Sequence, residues 1–150
     1  MLEKQIEELI KDEKDLIANL SNISALIMDQ IKDLNWVGFY RLIGDELLLG
    51  PFQGKVACVH LKLNKGVVGT SVYLNKTLVV DDVHTFSGHI ACDSNSNSEV
   101  VIPIHRDDGS IYGALDIDSP LFNRFNKDLV TMLEMVVKKI EDNLRRYKNG

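Results

Sequence analysis

Apolar residues recur every three to four positions at Leu2, Ile6, Leu9, Ile10, Leu16, Ile17, Leu20, Ile23, Leu26, Ile27 and Ile31, the spacing that lines one face of a helix. Asp15 and Ser21 are polar positions where this run can break, so it predicts one long helix or two shorter ones. From Trp36 the period changes to that of strands. Residues 36–42 and 46–50 flank Ile43-Gly44-Asp45 and predict a hairpin, and 57–63 reads as a third strand. Gly50-Pro51-Phe52-Gln53-Gly54 reads as a bounded turn that leaves Phe52 free to face a pocket. Residues 65–73 look like a loop entering a short helix, and 77–80 like another strand. Residues 99–104 and 110–118 form a hairpin around Asp107-Asp108-Gly109, and a last amphipathic helix runs from about Asn126 to Arg146. That order predicts an α+β fold: a central, mostly antiparallel sheet flanked by N- and C-terminal helices, with the helices on one side.

At 150 residues, 45% hydrophobic and 26% charged, the chain is read as one globular domain over residues 1–150 with room for a substantial core. Its net charge of −5 argues against nucleic acid or an anionic membrane as partner, because both need clustered Lys and Arg. The basic cluster, Lys138-Lys139 with Arg145-Arg146-Tyr147-Lys148, lies in and after the last helix, where cations suit the dipole. The opening stretch is charged and amphipathic, so no secretory leader is expected. No run approaches the ~18 apolar residues of a membrane span. The two cysteines therefore point to a reducing, cytoplasmic setting, where a disulfide is transient and catalytic more often than structural.

Candidate chemistry concentrates in Gly88-His89-Ile90-Ala91-Cys92-Asp93, followed by the polar run 94–98 and Glu99. A cysteine among a histidine, an aspartate and a polar loop is placed for thiolate chemistry; read alone, it fits a small apolar plug equally well. Asp116 and Asp118 lie two apart on a strand, so both side chains leave the same face while Leu115 and Ile117 leave the other. Two adjacent carboxylates repel unless a cation, a hydrogen-bond network or a shared proton uses them, and Glu99 is placed to join them. The plainer alternative is a solvated sheet face. Gly66-Val67-Val68-Gly69-Thr70 lacks the ending of a P-loop and reads as a tight turn. Cys58-Val59-His60 with His84, His89, Cys92 and Asp93 contains zinc-type ligands but no paired spacing, so no metal is expected. No Ser sits in a GxSxG elbow.

Asn35-Trp36-Val37-Gly38-Phe39-Tyr40, Leu49-Gly50-Pro51-Phe52-Gln53-Gly54, Ala57-Cys58, Gly66-Val67-Val68-Gly69-Thr70, Asp82-Val83-His84, the 88–93 motif, Ser98-Glu99 and Leu115-Asp116-Ile117-Asp118-Ser119-Pro120 together resemble the free methionine-(R)-sulfoxide reductases of the GAF fold. The resemblance implies reduction of free methionine-(R)-sulfoxide without a cofactor, recycling by thioredoxin, and a cytoplasmic homodimer. On this reading Cys92 attacks the sulfoxide sulfur and Cys58 resolves the product as a disulfide. Glu99, Asp116 and Asp118 form an acidic pocket that supplies a proton to the oxygen or holds the substrate ammonium. Trp36 and Tyr40 wall the S-methyl group, amides of the 88–98 loop receive the carboxylate, and Phe52, Asp82, His89, Asp93 and Ser98 complete the binding set. The family's middle motif carries a cysteine where this chain has Val68. With Cys92 as attacker turnover survives; were the absent thiol the attacker, the chain would bind methionine sulfoxide, or another small polar ligand, without reducing it.

Overall fold

Asp15 decides the N-terminal break: its carboxylate accepts the Ala18 N–H at 2.9 Å and caps the second of two helices, α1 (Leu2–Ile10) and α2 (Leu16–Gln30). The computed structural model describes residues 1–88 and 95–145. After α2 come β1 (Trp36–Ile43), β2 (Glu46–Gly54), β3 (His60–Lys62), α3 (Gly66–Leu74), β4 (Leu78–Val80), β5 (Ser98–His105), β6 (Ile111–Ser119) and α4 (Lys127–Leu144). The strands form a six-stranded sheet in the order β3-β2-β1-β6-β5-β4, each neighbouring pair antiparallel. No helix among the described residues is long and apolar enough to cross a membrane.

Strand alternation sorts the side chains onto two faces. Val37, Phe39, Val100, Ile102, Ile104, Leu115 and Ile117 pack under α1, α2 and α4 in the larger core. Trp36, Tyr40, Leu47, Val101 and Ala114 face the other way and pack with Val67, Val68 and Val72 of α3. The expectation of helices on one side therefore holds for α1, α2 and α4 but not for α3. Its small and β-branched residues from Gly66 to Val72 lack a polar face, so this part of the helix is largely buried against the sheet, and only Tyr73 and Leu74 at its end are exposed.

Two further differences bear on function. The stretch 50–54, read as a turn, continues β2 opposite β1, with a register shift between Gly38 and Tyr40 absorbing the irregularity. Phe52 lies opposite Gly38 and stacks on Trp36 at 5.3 Å and 17° instead of standing free. The predicted third strand contracts to His60–Lys62. Side chains capture the carbonyls of the segment before it: Trp36 Nε1–H donates to Lys55 O at 3.2 Å, and the Tyr40 hydroxyl to Cys58 O at 3.0 Å.

Candidate active site

Three adjacent strands, β1, β6 and β5, present one row of side chains toward α3. Trp36 sits opposite Asp118 and Gly38 opposite Asp116, while Glu99 sits opposite Asp118 on the far side. Gly38 separates Trp36 and Tyr40 on this face, and a Cβ there would lie 2.5 Å from the Trp36 ring and 2.4 Å from Phe52 Cβ. Only glycine lets the indole fold flat over the strand. The ring is thereby held between Phe52 and Tyr40, whose centroid is 5.9 Å away at 26°.

The acidic end of this row is buried. Glu99 is 6% and Asp116 5% exposed, Asp118 is half-buried, and carboxylate oxygens of the three lie within 4.8 Å of one another. Glu99 hydrogen-bonds both Asp116 and Asp118. Carboxylates accept only, so such bonds require a retained proton. Burial, followed by the charges of Asp116 and Asp118, pushes Glu99 well above the ordinary carboxylate range. Burial also raises Asp116 to about 6, although its hydrogen bond with Glu99 pulls the other way. At neutral pH the cluster thus holds a proton on Glu99 and a charge on Asp116. The Tyr40 phenol is pushed up as well, by burial and then by the charges of the three acids, and stays protonated as the donor to Cys58 O. Asp116 Oδ1 is buried with no hydrogen-bond partner among the described residues. An orphaned acceptor of this kind calls for a donor from a ligand.

A cavity opens over the row. Trp36, Tyr40 and Leu61 give it an apolar side, Val56 and Ala57 its mouth, and Glu99, Asp116 and Asp118 its acidic floor. Opposite stands the first turn of α3, where Lys65, Gly66, Val67 and Val68 line the space and no side chain caps the helix. The first amides of an uncapped helix attract an anion. The cavity therefore carries a negative and a positive end beside an aromatic wall.

The other expected site residues are dispersed. Asp82 stands off the cavity lining and caps a 3-10 turn at Val83–Thr85, accepting the His84 N–H at 3.0 Å. Ser98 is fully buried; its hydroxyl donates to Leu121 O at 2.6 Å and accepts the Arg124 N–H at 3.4 Å. It thereby fastens the loop after β6 beneath the acids instead of lining the cavity. Cys58 is disulfide-bonded, and among the described residues no cysteine is free. Cys92, His89 and Asp93, with most of the loop assigned to the carboxylate, lie outside the described residues. The zinc-type residues within them do not converge. His60 pairs with Glu46 at 2.7 Å, His84 Nε2 with Asn97 Oδ1 at 2.9 Å, and the Cys58 sulfur is occupied. Glu99, Asp116 and Asp118 are the group among the described residues spaced to hold a cation, an ammonium included. Sequence reading missed Ser96, which lines the cavity and accepts the Asn35 Nδ2–H at 3.0 Å; nothing distinguishes it within its polar run. It also missed Lys65 and Gly66, although a glycine-opened apolar helix is a recognisable signal for a ligand-facing helix end.

The GAF domain family matches residues 15–144, a span that includes every cavity residue named above. Free methionine-R-sulfoxide reductase of Escherichia coli is 45% identical over 140 residues, covering 93% of this chain and 84% of the relative. The chain belongs to the free methionine-R-sulfoxide reductases. Solved structures of this reductase family superpose closely. The fRMsr of Staphylococcus aureus in its reduced form matches at a TM-score of 0.92 with 55% identity, covering 95% of this chain and 92% of that one. The free methionine-R-sulfoxide reductase of Neisseria meningitidis, in complex with its substrate, matches at 0.94 with 37% identity, covering 99% and 89%.

Proposed function

We propose that this chain reduces free L-methionine-(R)-sulfoxide to methionine. The observation that carries the reading is the acid trio of buried Glu99 and Asp116 with half-buried Asp118, with an orphaned Asp116 oxygen, set in one cavity with Trp36 and Tyr40. Ionised Asp116 accepts the substrate ammonium, the first turn of α3 faces its carboxylate, and the aromatic wall takes the S-methyl group. Glu99 holds the proton that the sulfoxide oxygen needs. The Cys92 thiolate attacks sulfur, the oxygen is transferred with that proton, and methionine leaves behind a Cys92 sulfenic acid. The Cys58 thiol then displaces the oxygen as water and forms a disulfide. Thioredoxin returns both thiols, and the working form is a cytoplasmic homodimer.

Recognition through the ammonium makes a sharp distinction between substrates. Reduced protein is expected to consume the free R epimer and to act on its N-acetyl derivative at least ~100-fold slower, because acetylation removes the positive charge that buried Asp116 pairs with. Equal rates on free and N-acetylated substrate, followed by chromatography of the products, would refute the ammonium site.

Val68 supports one other reading. It is 5% exposed and lines the cavity, so a chain whose attacking thiol had stood there would keep the pocket and lose the reaction. Such a protein would bind methionine sulfoxide and release no methionine.

A further inference from the structure

The segment 55–59 between β2 and β3 is unusual in what it exposes. Val56 is 88% and Val59 49% exposed, and they flank disulfide-bonded, half-buried Cys58. Its conformation is nevertheless fixed, since the Lys55 and Cys58 carbonyls are held by Trp36 and Tyr40 and Leu49 N–H donates to Val59 O at 2.9 Å. Between those anchors Val56 and Ala57 form no backbone hydrogen bond among the described residues. A rigid strip with apolar side chains and unpaired backbone is a surface another protein covers by main-chain pairing. On its outer side the charged neighbours are the exposed Lys55 and Lys62, the acid opposite Lys62, Glu46, is engaged by His60 at 2.7 Å, and Glu99, Asp116 and Asp118 lie at the floor of the cavity that Val56 borders.

We propose that this strip is the docking surface of a protein dithiol reductant, and that Cys58 Sγ is the sulfur it attacks. The inference rests on the reductase reading above. A disulfide is reopened by thiolate attack in thiol–disulfide exchange, and the apolar strip with its lysines selects a protein with an apolar, acid-rimmed dithiol over a small soluble thiol. A thiolate of the reductant attacks Cys58 Sγ, and the sulfur bonded to Cys58 leaves as a thiolate. The second thiol of the reductant then displaces Cys58 and closes its own disulfide. Two electrons pass from the reductant to the chain, and both chain cysteines end reduced. Val56 also stands at the cavity mouth, so a docked reductant covers the entrance, and substrate and reductant take turns.

The test uses the intact oxidised protein and thioredoxin whose resolving cysteine is replaced by serine, which arrests exchange at the mixed disulfide. Mass mapping is expected to find thioredoxin on Cys58; an adduct on Cys92, or none under conditions where wild-type thioredoxin sustains turnover, overturns the proposal. In parallel, Val59→Asp, which lies outside the cavity lining, is expected to lower kcat/KM for thioredoxin about tenfold while reduction by dithiothreitol is unchanged. Equal thioredoxin kinetics in Val59→Asp and wild type would likewise overturn it. Methionine release from pre-reduced protein reads the underlying activity separately, so failure of the docking surface and failure of the reductase reading give different results.

Discussion

Asp116→Asn is expected to melt higher than wild type at pH 8 and to lose most of its turnover. The Asp116 carboxyl keeps its proton up to about 6, against an ordinary 3.8, mainly because burial disfavours the charge. Between those values the folded chain binds more protons than the unfolded one, so this group's contribution falls as pH rises, and its cost is complete above the folded value. Roughly two units at ~1.4 kcal/mol each place that cost at about 3 kcal/mol. Asparagine keeps the shape and a hydrogen bond to Glu99 while removing the charge, and a gain of a few degrees in Tm follows at pH 8. Near pH 4 the two proteins should converge, since Asp116 is then largely protonated. Activity moves the opposite way: without a carboxylate for the ammonium, kcat/KM should fall about 100-fold or more. A stability gained where activity is lost marks a group kept for chemistry. Thermal scans at pH 4 and 8 with steady-state assays check it; a lower Tm at pH 8 with normal activity contradicts it.

Cys58→Ser and Cys92→Ser should separate the two thiol roles. Pre-reduced Cys58→Ser is expected to release methionine in its first turnover at the wild-type rate and then stop as a sulfenic acid, with thioredoxin-driven turnover down about 100-fold or more. Cys92→Ser is expected to release none. Quenched single-turnover assays with a sulfenic-acid probe distinguish them, and an active Cys92→Ser beside a silent Cys58→Ser would reverse the assignment.

The sheet and its flanking helices were legible because their signals are local. Alternation at 115–118 sorts Asp116 and Asp118 from Leu115 and Ile117 without any tertiary information, and Asp15 advertises a helix cap. The acid trio is harder to read, because Glu99 meets Asp118 through the β5–β6 register, which periodicity leaves open until the hairpin is built. The misread elements share one cause. Phe52 and residues 55–59 take their conformation from Trp36 and Tyr40, aromatic partners well over ten positions earlier, so turn-like composition at 50–54 and strand-like composition at 57–59 were overruled by distant contacts. For α3, uniform apolarity predicts burial but not which face of the sheet provides it. Ser98, adjacent to Glu99 in sequence, points away from the cavity by the same alternation that sends Glu99 into it.

The most direct measurement mixes pre-reduced protein, without any reductant, with an excess of free L-methionine-(R)-sulfoxide and counts methionine and thiols. About one methionine released per chain with loss of both thiols is the expected result, because one sulfoxide oxygen consumes one dithiol. No methionine, with both thiols intact and substrate bound, would contradict the reductase assignment and leave a binding domain in which Val68 stands where the attacking thiol was needed.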